Sequence, residues 1–262
     1  MYDSFSSDYD RFVNWPGRLT LEIPFIETQL RGLKPRRDGS QKRVLDVACG
    51  TGMHVIELAK NGWLAAGVDL SAPMIEHARK NAEEAKVEVP FKTAGFGELA
   101  KSFEQDSGEN GFDALLCLGN SLPHLLTPLS LVGALQDVAA CLRPGGMFIL
   151  QNRNFDAVLA RHDRWMESQS SREGDAEWVF MRFYDFEPDG LINFNLITLS
   201  RVGTGGWNQK VDTTRLYPLL QSEMQSALEA AGFYQVTPYG GLSDIPFDAT
   251  QSSNLVMTAL KG

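Results

Sequence analysis

The segment Arg43-Val-Leu-Asp-Val-Ala-Cys-Gly-Thr-Gly52 joins an apolar run to a glycine turn, and few folds can accept it. Val44 to Ala48 reads as a buried parallel strand, after which the chain turns and a helix begins at once. Gly50 and Gly52 carry no Cβ, so the turn's backbone can lie against a ligand. A second strand ends in Gly67-Val-Asp-Leu70, which places Asp69 19 residues after Gly50. In a strand–helix–strand nucleotide fold an acid at that point can accept both hydroxyls of a ribose. The alternative is an ordinary turn and a solvated aspartate; the agreement of turn and acid argues against it. The dinucleotide pattern is not met, because Val55 stands where its third glycine would fall. Asp46, at the strand's end, would repel a pyrophosphate and suit a cationic ligand.

The segment resembles the first motif of class I S-adenosylmethionine-dependent methyltransferases, Leu-Asp-Xaa-Xaa-Xaa-Gly-Xaa-Gly. The resemblance implies S-adenosyl-L-methionine as cofactor and S-adenosyl-L-homocysteine as product. It implies a glycine turn packed against the methionine moiety and a strand-two acid on the ribose. In this sequence it places the cofactor against Asp46, Ala48, Gly50, Gly52, Asp69 and Leu70, and further along against Met74, Gly95, Phe96, Leu118 and His124.

Composition narrows the partners. The net charge is −9 and the longest basic stretches are Lys34-Pro-Arg-Arg37 and Lys42-Arg43, which argues against a nucleic-acid substrate. Cys49, Cys117 and Cys141 are odd in number and widely spaced, fitting neither a metal site nor a disulfide framework. They read as reduced core thiols in the cytoplasm. With no apolar leader and no run of 18 apolar residues, neither secretion nor a membrane span is expected. A homo-oligomer is left open.

Residues 1–41 read as a helical or irregular arm rich in aromatics: Tyr2, Phe5, Tyr9, Phe12 and Trp15. Strand and helix then alternate. Strands are expected at Val44–Ala48, Leu64–Asp69, Glu88–Ala94, Gly111–Leu118 and Met147–Gln151. Helices are expected at Met53–Asn61, Pro73–Ala85 and Leu129–Leu142, the last stopped by the turn Arg143-Pro-Gly-Gly146. The alternation predicts an α/β fold with one doubly wound, mostly parallel sheet, seven-stranded by the resemblance. Beyond residue 155, Trp178–Phe186, Leu191–Val202 and Lys210–Tyr217 read as antiparallel strands, with Ser168–Ser171 a polar loop. The expected organisation is an arm (1–41), a cofactor-binding core (42–155), an inserted antiparallel flap (156–217) and a return to the core sheet (218–262). Ligands of such sheets bind outside the carboxyl ends of the strands, where arm and flap could exclude water.

Leu116-Cys-Leu-Gly-Asn-Ser-Leu-Pro-His-Leu125 and Asn152-Arg-Asn-Phe-Asp156 sharpen the resemblance. Together they look like glycine N-methyltransferase and the sarcosine/dimethylglycine N-methyltransferases. That family carries Gly-Asn-Ser…His-Leu, Arg-Asn-Tyr-Asp and an antiparallel subdomain at these places. Carried over, Asn120 is the substrate-contacting asparagine, His124 lies near the sulfonium, and Arg153 grips an amino-acid carboxylate. A guanidinium at a sheet's carboxyl end also suits a carboxylate on its own chemistry. The alternatives are that Arg153 pairs with Asp156 or a flap acid, that Asn120 only forms the turn, and that His124 is a core histidine. The family's Asn-Trp after strand three is replaced by Gly95-Phe96. Tyr184 and Tyr217 are flap candidates, while His54 and His162 read as surface or loop residues.

Methyl transfer from a sulfonium is a direct displacement that needs no metal and no nucleophilic side chain. It needs an uncharged lone pair held about 3 Å from the methyl carbon and in line with the departing sulfur. The expectation is an enzyme methylating the nitrogen of a small carboxylate-bearing amine. The alternatives are a class I enzyme acting on oxygen or carbon of another small molecule, and a protein that binds the cofactor without transfer.

Overall fold

In a computed structural model, residues 9–103 and 110–262 are described; Tyr2 and Phe5 of the aromatic arm lie outside them. The core alternates as expected: β1 (Arg43–Val47), α2 (Met53–Lys60), β2 (Leu64–Asp69), α3 (Ala72–Ala85), β3 (Phe91–Thr93) and the short α4 (Leu99–Ser102). It continues through β4 (Phe112–Cys117), α5 (Pro128–Cys141) and β5 (Leu142–Arg153). Ahead of these lies α1 (Trp15–Gly32), and after them α6 (Phe155–Arg161). The flap strands are β6 (Gln169–Glu173), β7 (Ala176–Phe186), β8 (Ile192–Val202) and β9 (Asn208–Leu216), and α7 (Gln221–Ala230), β10 (Phe233–Tyr239) and β11 (Asn254–Lys261) close the chain.

Seven strands form one sheet in the order β10-β11-β5-β4-β1-β2-β3, with β11 antiparallel to both neighbours. Because side chains alternate along a strand, neighbouring residues feed opposite layers. Val44 and Leu116 pack with Ile26 and Leu30 of α1 and Ile56 of α2. Leu45, Val47 and Leu115 pack with Leu135 of α5 and Leu228 of α7. The helix α1 is thus part of the main core, not a loose arm. All three cysteines are free and buried. Among the described residues no helix is long and apolar enough to cross a membrane.

Three expectations need correction. The polar run at Ser168–Ser171 is not all loop: from Gln169 it opens β6, the edge strand paired with β7. Gln-Ser-Ser-Arg-Glu shows no alternation of apolar residues, so the pairing partner alone makes it a strand. The Arg143–Gly146 turn is absorbed into β5 as an irregularity in its pairing with β4, between Phe112 and Ala114. Its Arg143 reaches the buried Asp113 at 2.6 Å. Third, His54 is not a surface residue. It lies 4% exposed on α2, its Nε2 2.7 Å from Glu22 of α1. Burial lowers its pKa and outweighs the opposing pull of Glu22, so the ring is neutral at pH 7. His162 is exposed, as expected.

Candidate active site

The turn after β1 has three left-handed residues in five: Ala48 (φ 72°), Gly50 (φ 55°) and Gly52 (φ 78°). The N–H groups of Ala48 and Cys49 both donate to the carbonyl of Val68 at 2.8 Å, which fastens the turn to β2. Gly52 is there for packing: a Cβ would come within 2.8 Å of the Phe91 ring and 2.9 Å of Ala78. At Gly50 a Cβ would meet the Tyr9 ring at 3.7 Å, so an arm residue lies over the turn. Asp10 anchors that arm, accepting from Thr51 Oγ1 at 2.6 Å, Trp15 Nε1 at 2.7 Å and Asn81 Nδ2 at 3.0 Å.

Asp69 stands where β2 ends. Its Oδ2 accepts the Gly50 N–H at 2.8 Å and its Oδ1 the Ser71 N–H at 2.9 Å. Two backbone donors therefore fix the carboxylate in the lining of a cavity of about 620 Å³. Ala48 and the buried Met74 and Leu118 line it together with Leu70, Gly95, Phe96 and His124. Asp46, Gly50 and Gly52 do not line it. Asp46 is not at the strand's end but one residue short of it, facing inward and 2% exposed, with Oδ1 unpartnered among the described residues. Burial, then the charge of Asp69, pushes its pKa up to about 8.

A second cavity of about 470 Å³ adjoins the first, and Tyr9, Gly119 and His124 line both. Asn120 and Arg153 line this one, with Tyr184 from the flap. Asn120 is left-handed (φ 75°); its N–H donates to Gln151 O at 3.0 Å and its Oδ1 accepts the Arg153 N–H at 2.9 Å. The Arg153 side chain hydrogen-bonds the Tyr184 hydroxyl, and burial pushes that hydroxyl's pKa up to about 12. Arg153 Nε is buried and has no hydrogen-bond partner among the described residues. Asp156, the acid expected to compete for it, accepts the Gln221 N–H at 3.0 Å instead. Burial likewise lowers the His124 pKa to about 4, so its ring is neutral at pH 7.

Sequence reasoning missed several residues here. Arg18 and Glu22 pair at 3.1 Å inside the second cavity, and Arg182 enters it from β7. Both polar atoms of the Asn152 side chain are buried beside it without partners among the described residues. For Arg182 a signal existed, because it shares the alternating face of β7 with Tyr184. Tyr217 is turned aside and donates to Glu223 at 3.0 Å.

Known proteins similar to this chain are methyltransferases. The family described as "Methyltransferase domain" matches residues 44–146. Glycine/sarcosine N-methyltransferase of Aphanothece halophytica is 28% identical over 92% of this chain and 83% of its own length. Human glycine N-methyltransferase is 38% identical over 48% of this chain and 45% of its own. An S-adenosylmethionine-dependent methyltransferase from Clostridium acetobutylicum shares the fold, with a TM-score of 0.76 at 16% identity, covering 100% of this chain and 99% of that one. These likenesses support an S-adenosylmethionine-dependent methyltransferase with a Rossmann-like fold. Among such enzymes it resembles the glycine and sarcosine N-methyltransferases.

The first cavity fits that cofactor by its own chemistry. An anionic acceptor is fixed at the edge where hydroxyls could donate, and apolar Leu70, Met74 and Phe96 offer surfaces to a flat base.

Proposed function

We propose that this enzyme methylates the nitrogen of a small amine bearing a carboxylate, with the cofactor in the cavity of Asp69 and the amine in the cavity of Arg153. One observation carries the reading: an arginine with a buried Nε that has no partner among the described residues faces a cavity that meets the Asp69 cavity at Gly119, Tyr9 and His124. When bound, the cofactor supplies an electrophilic methyl group on a sulfonium. Asp69 accepts from the ribose hydroxyls, and the turn of Gly50 and Gly52 holds Ala48 and Asp69 in place. Arg153 offers two parallel N–H donors to the carboxylate, a geometry that also fixes the amine's direction. Tyr184 braces the guanidinium, and Asn120 braces the backbone that carries it. Tyr9, Phe12 and the flap exclude water, so the amine reacts as the free base with little solvent to reorganise. His124 stays neutral there and adds no charge against the sulfonium.

The test is methyl transfer from isotopically labelled cofactor to glycine, sarcosine, larger amino acids, their amides, and the matching hydroxy acids. Labelled N-methyl products from the carboxylate-bearing amines are expected. Label appearing on the hydroxy acids in place of the amines would overturn the reading.

A further inference from the structure

We propose that the substrate carries a second acidic group and that Arg182 holds it, a specificity that rests on the amine-methylating reading above. Along β7, Phe180, Arg182 and Tyr184 share one face, in register with Thr198, Leu196 and Phe194 of β8. That face closes the cavity of Arg153, so the flap delivers a second guanidinium to it. Arg182 Nε, like Arg153 Nε, is buried without a hydrogen-bond partner among the described residues. The other contacts of Arg182 are neutral: its Nη2 donates to the backbone oxygen of Glu167 at 3.4 Å, and its Cζ lies 4.8 Å from the centre of the Phe12 ring. The third arginine of the cavity, Arg18, is matched by Glu22 through two contacts of 3.1 Å.

Two cations in one cavity, neither in an ion pair with a carboxylate among the described residues, repel each other where water screens them poorly. Burial, and after it the charge of Arg153, lowers the Arg182 pKa, while the exposed Glu167 opposes this least of the contributing charges. An anion between or beside the two guanidiniums relieves both costs, and the amine's own carboxylate takes Arg153 in the reading above. A volume of about 470 Å³ lies within the range of about 300–1,000 Å³ typical of sites for sizeable ligands, more room than glycine fills. The second acid is a carboxylate, as in an amino dicarboxylate, or a phosphonate on the same frame. Both present oxygens that a guanidinium fork can meet.

Steady-state methyl transfer would be compared for aspartate, 2-amino-3-phosphonopropionate, asparagine and glycine. A kcat/KM at least tenfold higher for aspartate or the phosphonate than for asparagine is expected, and which of the two is preferred names the second acid. Arg182→Gln should collapse that ratio, and Arg182→Lys should keep part of it. Equal rates for the acids and asparagine would overturn the inference, as would an Arg182→Gln that slows all four substrates alike. If Arg182→Gln does not fold, the acid-to-amide ratio in the wild type and in Arg182→Lys still decides. Calorimetric binding of the same compounds to protein loaded with S-adenosylhomocysteine separates this inference from the reading beneath it. Tight, Arg182-dependent binding of the acids without transfer sustains the two-cation site and sinks the N-methylation. Transfer to glycine without any preference for a second acid does the reverse.

Discussion

The backbone N–H of Arg153 donates to Oδ1 of Asn120 at 2.9 Å, so the ends of β5 and β4 are tied across 33 residues of sequence by the two residues singled out for substrate binding. Asn120 therefore has a structural duty as well as its place in the cavity. Its left-handed φ of 75° costs little for asparagine and aims the carboxamide back at β5. The turn-forming and substrate-facing readings of Asn120 are not alternatives.

Arg153→Lys should raise the half-saturating amine concentration about ten- to a hundredfold, on the order of 1.4–2.8 kcal/mol, because lysine cannot reproduce the planar fork. Cofactor affinity should hardly change, since Arg153 does not line the Asp69 cavity. Kinetics with cofactor titrated separately would check both halves, and a matching loss of cofactor affinity would count against the assignment.

Asp69→Ala should weaken cofactor binding by roughly 1.5–3 kcal/mol, the scale on which a charged acceptor is lost from a hydrogen bond. The same change frees the N–H groups of Gly50 and Ser71, so the turn should also loosen. Calorimetry on a folded variant reads the affinity; no change there would remove Asp69 from the site.

Gly52→Ala should destabilise the fold itself by about 1–3 kcal/mol, as overpacking does, because its Cβ would press on Phe91 and Ala78. Gly50→Val meets no such wall, but a β-branched residue is strained at its left-handed φ of 55°, so the turn should deform, shift Tyr9 and the Asp69 carboxylate, and cost cofactor binding more than stability. Thermal melts and cofactor titrations on the two variants should separate these effects. Two variants with the same profile would show that the turn does not divide its work this way.

Asp46→Asn should change how stability varies with pH. With its pKa pushed up to about 8, folded Asp46 keeps a proton that the unfolded chain, at about 3.9, has lost. The folded state then binds more protons between those values, so this group's contribution falls as pH rises from about 4 to about 8 and is constant above. The variant should accordingly gain on the wild type across that window. Denaturation midpoints at pH 5 and pH 8 for both proteins would measure it, and parallel changes would refute it.

The strand–turn–helix and the acid after it determine the α/β sheet because they are local. The glycines, the apolar run and the spacing to Asp69 act within one strand–helix–strand unit, where periodicity and turn chemistry are written in order. Asn120 and Arg153 came instead from the resemblance to the glycine N-methyltransferases, and the structure sets Arg153 at the end of β5 and Asn120 just past the end of β4. Tertiary structure alone decided which side chains complete the second cavity. Tyr9, Glu22 and Arg182 come from segments far apart in sequence, and β6 is a strand only because β7 lies beside it. His54 shows the same limit. A histidine at the start of a helix looks solvated until α1 covers it and supplies Glu22, and burial of that kind depends on long-range packing that no local pattern records.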